Sequence, residues 1–193
     1  MGDGRQMLIA LPADRPGVEV RPPFPLAALQ ASCTTEVVLR EAQVGDAELL
    51  AGPASDILSN PGAVGTAGLE TSALALGQAR AALAALVDLS PDRTDLAEPL
   101  EVLCENWRVY WGQLIAQARN EPDAVTPGQI RTQANALVLK STQAYLTARR
   151  GTGFLRTEPA QRWARQALFF LVWSCPTPVA QAAIRDLAGL CQV

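Results

Sequence analysis

The chain has 193 residues, of which 49% are hydrophobic and 18% are charged, with a formal net charge of −3 and no histidine. This composition excludes intrinsic disorder and is typical of a folded protein with one good core or two small ones. The small negative charge argues against nucleic acid or an anionic membrane as the main partner. Without histidine, Ser–His and Cys–His nucleophilic pairs and histidine-containing metal sites are excluded, so we expect no metal site.

The first 58 residues have strand-like segments. Residues 7–11 (MLIAL) predict a short, fully buried strand, and residues 18–20 (VEV) alternate as an edge strand does. Residues 34–39 (TTEVVL) are rich in β-branched side chains and predict another strand. We therefore predict a partial β-domain over residues 1–58.

Residues 59–193 predict a helical bundle domain. The segments are long, rich in alanine and leucine, and joined by short turns, which favours an antiparallel arrangement. Thr126 and Gln129 form a capping-box sequence, and Pro159 suits the first position of a helix. The fold class is therefore mainly α, an antiparallel helical bundle preceded by a short β-segment. Helices are expected at residues 63–87, about 95–120, 127–150, 159–175 and from 177 onward.

Two further patterns concern packing. Glycines at positions 62, 65 and 68 recur every third residue, which favours close packing, with a phosphate cradle as the weaker alternative. The apolar run 167–175 is far shorter than the roughly 20 residues that a bilayer requires, so it predicts a buried helix and no membrane partner.

Isolated cysteines are usually small buried hydrophobic residues, and without a signal peptide they favour a reducing cytoplasm. The four cysteines of this chain are Cys33, Cys104, Cys175 and Cys191.

The stretch from residue 143 to residue 176 carries a distinctive pattern. A helix with arginines at its end is followed by a Gly-x-Gly turn at residues 151–153, where glycine can adopt the positive φ angle that a helix exit needs. A second helix then starts at a proline and carries two spaced arginines. This pattern resembles the C-terminal helical domain of the acyl-CoA dehydrogenases. The matching residues are Gly151, Gly153, Phe154, Pro159, Arg162, Arg165 and Ala167.

The first segment is also similar to that family. The order RPGVEV, a proline-rich link and EVVLREAQVGDAELLAG resembles the second half of the family's middle β-domain. The N-terminal helical domain and the first half of the β-domain are not represented, so we expect a truncated form of the family architecture. A half-sheet of this kind has an unpaired edge that needs a covering partner.

The resemblance implies where a catalytic base would lie. In the family a glutamate removes the substrate α-proton, and its position here is Ser174, which we do not expect to act because no histidine can activate its hydroxyl. Some members carry the base on the first C-terminal helix instead. Glu70 is the only nearby candidate there, and a solvated helix glutamate is the alternative interpretation.

The resemblance also implies a flavin, FAD, although some of its contacts are changed. Arg149, Arg150, Gly151 and Gly153 are the candidate cofactor-binding residues, and ordinary cations at a helix C-terminus explain the arginines equally well. Other family contact positions read Leu96, Ala97, Cys104 and Thr147. Trp107 and Trp111 lie on one apolar stripe that favours a core role, with flavin stacking as the alternative.

Three functions are consistent with these residues. The first is the C-terminal portion or subunit of an acyl-CoA dehydrogenase-like flavoprotein, an oxidoreductase acting on CH–CH groups that is inactive alone. It would form a homo-oligomer, or a hetero-oligomer with an acyl-CoA dehydrogenase-like chain, and would bind acyl-CoA only if the partner completes the site. The second is a non-catalytic oligomerisation or assembly module derived from the family. The third is a truncated gene product without a function of its own.

Overall fold

The computed structural model describes residues 4–55, 57, 69–173 and 175–190. The chain divides into two compact units, Met1–Gly65 and Thr66–Val193. Within the described residues, the first unit contains four short strands and the second contains five α-helices. The mainly helical fold class predicted from the sequence is confirmed.

The strands of the first unit form two antiparallel pairs. Strand β1 (Gln6–Ile9) pairs with β4 (Leu49–Ala54), and β2 (Val18–Val20) pairs with β3 (Val37–Leu39). The predicted strand at residues 18–20 is confirmed, and the strand predicted at 34–39 is shorter than expected. β4 was not predicted, because a glycine–proline pair inside it weakens the strand pattern.

The prediction that the first strand is fully buried is wrong. The Met7 side chain is 63% exposed, and no residue of β1 is fully buried. A two-stranded pair has few neighbours to cover its faces, so its apolar side chains meet solvent. Val20, Val37 and Leu39 of the other pair are likewise more than half exposed.

The second unit is a bundle with one central helix. α3 contacts each of the other four helices, and its buried face includes Ile130, Ala134, Leu137 and Ser141, as the spacing predicts. Two clusters of buried apolar residues follow its length. The helices are α1 (Leu69–Leu89), α2 (Ala97–Ala118), α3 (Pro127–Arg149), α4 (Pro159–Ala167) and α5 (Thr177–Leu187).

The start of α3 confirms the capping box. The Gln129 backbone N–H donates to the Thr126 hydroxyl at 3.3 Å, and the Thr126 backbone N–H donates to the Gln129 side-chain oxygen at 3.0 Å. Two backbone N–H groups at the start of the helix are therefore satisfied locally. This fixes where the central helix begins.

The helix predicted over residues 159–175 ends earlier than expected. α4 stops at Ala167, and Leu168–Leu171 forms a 3₁₀ helix. Leu168 is 50% exposed and Val172 is 76% exposed, so the prediction of a buried helix over residues 167–175 is wrong. Phe169 stacks on Trp173 with ring centroids 4.8 Å apart. The apolar composition of the segment did not indicate this contact between aromatic side chains.

The prediction of buried cysteines is also wrong for those the structure describes. Cys33 is exposed, and Cys104 and Cys175 are partly buried. Cys33 lies at the end of a 3₁₀ turn in the first unit, where the chain has little cover. Cys191 and the three glycines at positions 62, 65 and 68 lie outside the described residues.

Helix α1 has the length and apolar composition of a membrane-spanning segment. Within the segment Leu69–Asp92, an 18-residue window has a mean hydropathy of 1.3. Ala75, Leu76 and Ala79 are fully buried in a core cluster that also contains residues of α3. In this fold the apolar face of α1 is therefore explained by packing within the bundle.

Candidate functional site

The last residue of α3 and the turn after it contain the four residues predicted to contact a cofactor. α3 ends at Arg149, and Arg150–Phe154 forms a 3₁₀ segment. The Arg149 guanidinium pairs with the Glu158 carboxylate at 2.9 Å, which joins the end of α3 to the residue before α4. Both side chains are partly buried, so this ion pair stabilises the turn.

Gly153 and Gly151 occupy different environments in that turn. Gly153 is buried, and a Cβ atom placed there would lie 2.6 Å from the Arg149 Cβ and 3.2 Å from the Leu146 carbonyl oxygen. A Cβ at Gly151 would meet nothing within 4 Å. Gly153 is therefore required for close packing, whereas the surroundings of Gly151 are open.

The positive φ angle that the sequence predicted for the glycines belongs to Arg150 instead. Arg150 has φ 53° and ψ −147°, a conformation that costs a non-glycine residue about 1–3 kcal/mol. Its backbone N–H donates to the Thr147 carbonyl, closing the end of α3. The neighbouring turn holds this conformation in place.

Replacing Arg150 with glycine is expected to raise the free energy of unfolding by about 1 kcal/mol, because glycine adopts this conformation without a Cβ clash. The melting temperature of the purified chain is the measurement. Arg150→Ala removes the same side chain but keeps the strain, so it should bring no gain. An equal gain in both variants would contradict a backbone cause.

Arg93 ties the turn to the start of α2. Its guanidinium donates to both carboxylate oxygens of Asp95, at 2.7 and 2.6 Å, and to the Ala148 carbonyl at 3.1 Å. The hydrogen bond from Arg93 holds the pKa of Asp95 below its usual range. The last turn of α3 is thus held from two directions, by Arg93 and by Glu158.

A second polar group fixes the segment that leads to position 174. Arg131 on α3 is only 4% exposed, and its guanidinium donates to the Trp173 carbonyl at 2.9 Å and to the Asn135 side-chain oxygen at 3.1 Å. The Asn135 amide, also buried, donates to the Phe170 carbonyl at 2.8 Å. Two α3 side chains therefore hold the backbone of the residues directly before position 174.

Arg131 is a charged group in an apolar setting. Burial lowers the pKa of its guanidinium, and the nearby Cys175 partly offsets that effect. Among the ion pairs of the described residues none includes Arg131, so hydrogen bonds to neutral oxygens compensate the buried charge. Such a group is costly to bury, which makes it a candidate functional residue.

Sequence reasoning did not find Arg131 and Asn135. A signal was present, because Arg131 and Asn135 come directly after Ile130 and Ala134, two residues of the predicted buried face. Arg131 and Asn135 are therefore also four residues apart. Polar residues so close to a buried helix face predict an internal hydrogen-bonding role. The carbonyl partners lie about 35 to 42 positions away, and no local pattern indicates them.

The two candidate bases are placed differently. Glu70 lies in the first turn of α1 and is exposed. Ser174 lies outside the described residues. Trp107 packs against both core clusters and donates its indole N–H to the Leu76 carbonyl at 2.9 Å, as a core role predicts. Trp111 is 37% exposed and stacks on Trp107 with ring centroids 5.6 Å apart, so the prediction of a core role is wrong for Trp111.

Solved structures of known proteins share this architecture. A glutaryl-CoA dehydrogenase from Mycobacterium smegmatis, in complex with FADH2, matches 97% of this chain with a TM-score of 0.77 and 20% identity. A butyryl-CoA dehydrogenase from Megasphaera elsdenii matches 97% with a TM-score of 0.76 and 17% identity. An acyl-CoA dehydrogenase from Slackia heliotrinireducens matches 98% with a TM-score of 0.72 and 16% identity. This chain has the acyl-CoA dehydrogenase fold.

The chain spans about half the length of these acyl-CoA dehydrogenases. It covers 52%, 53% and 54% of the three structures, respectively. Neither a model of a known protein family nor a curated protein sequence matches it. At 16–20% identity the likeness establishes the acyl-CoA dehydrogenase fold, and the resemblance predicted from residues 143–176 is confirmed at that level.

Proposed function

We propose that this chain is the C-terminal helical portion of an acyl-CoA dehydrogenase-like flavoprotein, and that it acts only with a partner that supplies the rest of the fold. One observation carries this proposal. The glutaryl-CoA dehydrogenase structure matches 97% of this chain, whereas the chain covers 52% of that structure. A site built across both halves of the fold would be incomplete in either half alone.

The first unit supports the need for a partner. Val20, Val37 and Leu39 place apolar side chains on the surface of a two-stranded pair, each more than 50% exposed. Exposed apolar faces and open strand edges are typical of surfaces that another chain covers. A homo-oligomer, or a hetero-oligomer with an acyl-CoA dehydrogenase-like chain, would provide that cover.

Two of the four candidate cofactor residues fit a flavin better than the others. Arg150 is exposed and Gly151 leaves open space beside the backbone, so a phosphate group can approach both. Arg149 is paired with Glu158, and Gly153 is packed against the end of α3, so both support the turn from inside. FAD, when bound, would accept the hydride, and Arg150 would bind its phosphate oxygens.

The proton-abstracting base needs a carboxylate. Ser174 lacks one, and Glu70 is exposed in this chain, whereas a working base lies in a site shielded from water. Either the partner covers Glu70 or the partner contributes the base itself. Acyl-CoA would therefore bind productively only to the assembled complex, for which we propose a cytoplasmic location.

A second function is an assembly module without catalysis. Two observations favour it: Arg149 is paired with Glu158, which occupies a guanidinium that a cofactor would use, and position 174 holds a serine that lacks the carboxylate of a base. In that case the chain would join the oligomer of a complete flavoprotein and contribute no residue to the reaction. Ser174→Glu would then give no turnover.

Co-expression with candidate acyl-CoA dehydrogenase-like chains tests the first function. We expect a co-purifying complex with flavin absorbance in the visible range and acyl-CoA-dependent reduction of a dye. Arg150→Gln should weaken flavin binding about tenfold, which corresponds to the loss of one charge-assisted contact. Arg162→Gln, an exposed arginine on α4, is the matched control and should leave flavin binding unchanged.

The outcomes separate the two functions. A stable complex that binds no flavin through Arg150 and gains no activity from this chain supports the assembly module. If no candidate chain forms a complex with this chain, and this chain alone binds no flavin, both proposed functions are contradicted. Turnover of acyl-CoA by the purified chain without a second polypeptide would contradict the requirement for a partner.

A further inference from the structure

An open groove runs between α3 and α4 on the helical unit. Its volume is about 670 Å³. Its apolar wall includes Leu146 and Leu168, and Leu168 is 50% exposed. The lining residues are Gln143, Leu146, Phe154, Arg156, Gln161, Ala164, Arg165 and Leu168.

The groove between α3 and α4 is larger than a second groove on the helical unit, which has a volume of about 410 Å³. That other groove lies between the starts of α3 and α5, and its lining residues, such as Thr126, Gln129 and Val179, are uncharged. A volume of ≈ 670 Å³ falls within the range of about 300–1,000 Å³ that is usual for small-molecule sites. The groove between α3 and α4 is therefore large enough for a small ligand, and it carries charge.

The segment that forms one side of this groove is strongly basic. Residues 149–165 contain five arginines and one glutamate, in a chain whose formal net charge is −3. Arg156 and Arg165 lie in the groove lining, and both are exposed. Within the described part of the chain, the Arg156 side chain belongs to none of the ion pairs. The groove therefore presents positive charge beside an apolar wall.

A buried amide organises this charge. Gln161 is 8% exposed, and its side-chain N–H group donates to the carbonyls of Arg156 and Glu158, at 3.2 and 3.0 Å. Its side-chain oxygen accepts two hydrogen bonds from the Arg165 guanidinium, at 3.0 and 2.8 Å. The neutral amide of Gln161 thus orients the Arg165 guanidinium and fixes the Arg156 backbone. Because these groups are already ordered, an anion that binds them loses less conformational entropy.

We propose that the groove between α3 and α4 binds a small amphipathic anion, with a carboxylate or phosphate head at Arg156 and Arg165 and an apolar chain along Leu146 and Leu168. Guanidinium groups match the geometry of both oxyanions. The apolar wall gives the rest of the ligand a surface to bury, at about 0.8 kcal/mol for each CH₂ group. This site does not include Arg150 or Gly151, the two residues proposed above to contact the flavin.

Isothermal titration calorimetry with decanoate, decyl phosphate and decanol tests the proposal. We expect saturable binding of both anions, and the tighter of the two identifies the head group. Decanol, which has the chain without the charge, should bind at least about tenfold more weakly. Added salt should weaken the binding of the anions, because the arginines are exposed.

Matched variants locate the site. The double variant Arg156→Gln/Arg165→Gln should weaken decanoate binding about tenfold or more, whereas Arg162→Gln, on the same helix as Arg165 but outside the lining, should not change it. If the double variant does not fold, Arg156→Gln alone must still weaken binding. The proposal is overturned if no anion binds saturably, if decanol binds as tightly as decanoate, or if Arg156→Gln has no effect.

Discussion

Replacing Arg131 with alanine is expected to lower the free energy of unfolding of the helical unit by about 2–4 kcal/mol. The change removes the donor to the Trp173 carbonyl and to the Asn135 side chain, and it leaves a cavity beside α3. Relief of the cost of burying a charge offsets part of this loss. Urea denaturation followed by circular dichroism is the measurement.

Two further variants separate charge, packing and hydrogen bonding. Arg108→Ala removes an exposed arginine whose ion pair with Glu105 is also exposed, so it should change stability by less than about 0.5 kcal/mol. Arg131→Met keeps most of the side-chain volume but provides no donor. If Arg131→Met is as stable as the unmodified chain, the hydrogen bonds of Arg131 do not contribute to stability.

Replacing Gly153 with alanine is expected to cost about 1–3 kcal/mol of stability. The new methyl group would lie 2.6 Å from the Arg149 Cβ and 3.2 Å from the Leu146 carbonyl oxygen, so the last turn of α3 would have to move. Because Arg149 also pairs with Glu158, the displacement should strain that ion pair as well. The melting temperature reports the loss.

Gly151→Ala is the matched control two positions away. No atom lies within 4 Å of the added methyl group, and the φ angle of Gly151 lies outside the left-handed region. The change should therefore be neutral or stabilising by up to about 1 kcal/mol. Equal losses in the two variants would show that close packing at Gly153 is not the cause.

Local signals predicted the helices well. The capping box at Thr126 and Gln129 marks the start of α3, because it joins side chain and backbone only three residues apart. Pro159 marks the start of α4 for a similar reason, since proline suits the first turn. The buried face of α3 followed from its spacing.

Features that depend on distant contacts were not predicted. The early end of α4, and the anchoring of the segment after it, involve α3 side chains about 35 residues away. The local rule that glycine ends a helix predicts the positive φ angle within the Gly-x-Gly turn, whereas the structure has it at Arg150. The exposure of Met7 depends on what covers the strand pair, and strand propensity carries no information about that.

The anchoring by Arg131 and Asn135 has a consequence for changing the chemistry of this chain. Both side chains donate hydrogen bonds to backbone carbonyl oxygens, at Trp173 and Phe170. These hydrogen bonds therefore do not depend on which side chains the anchored segment carries. A designer could exchange side chains beyond Trp173 without rebuilding the scaffold beneath them. In this fold α3 fixes the backbone of the segment, whereas the side chains of the segment determine its chemistry.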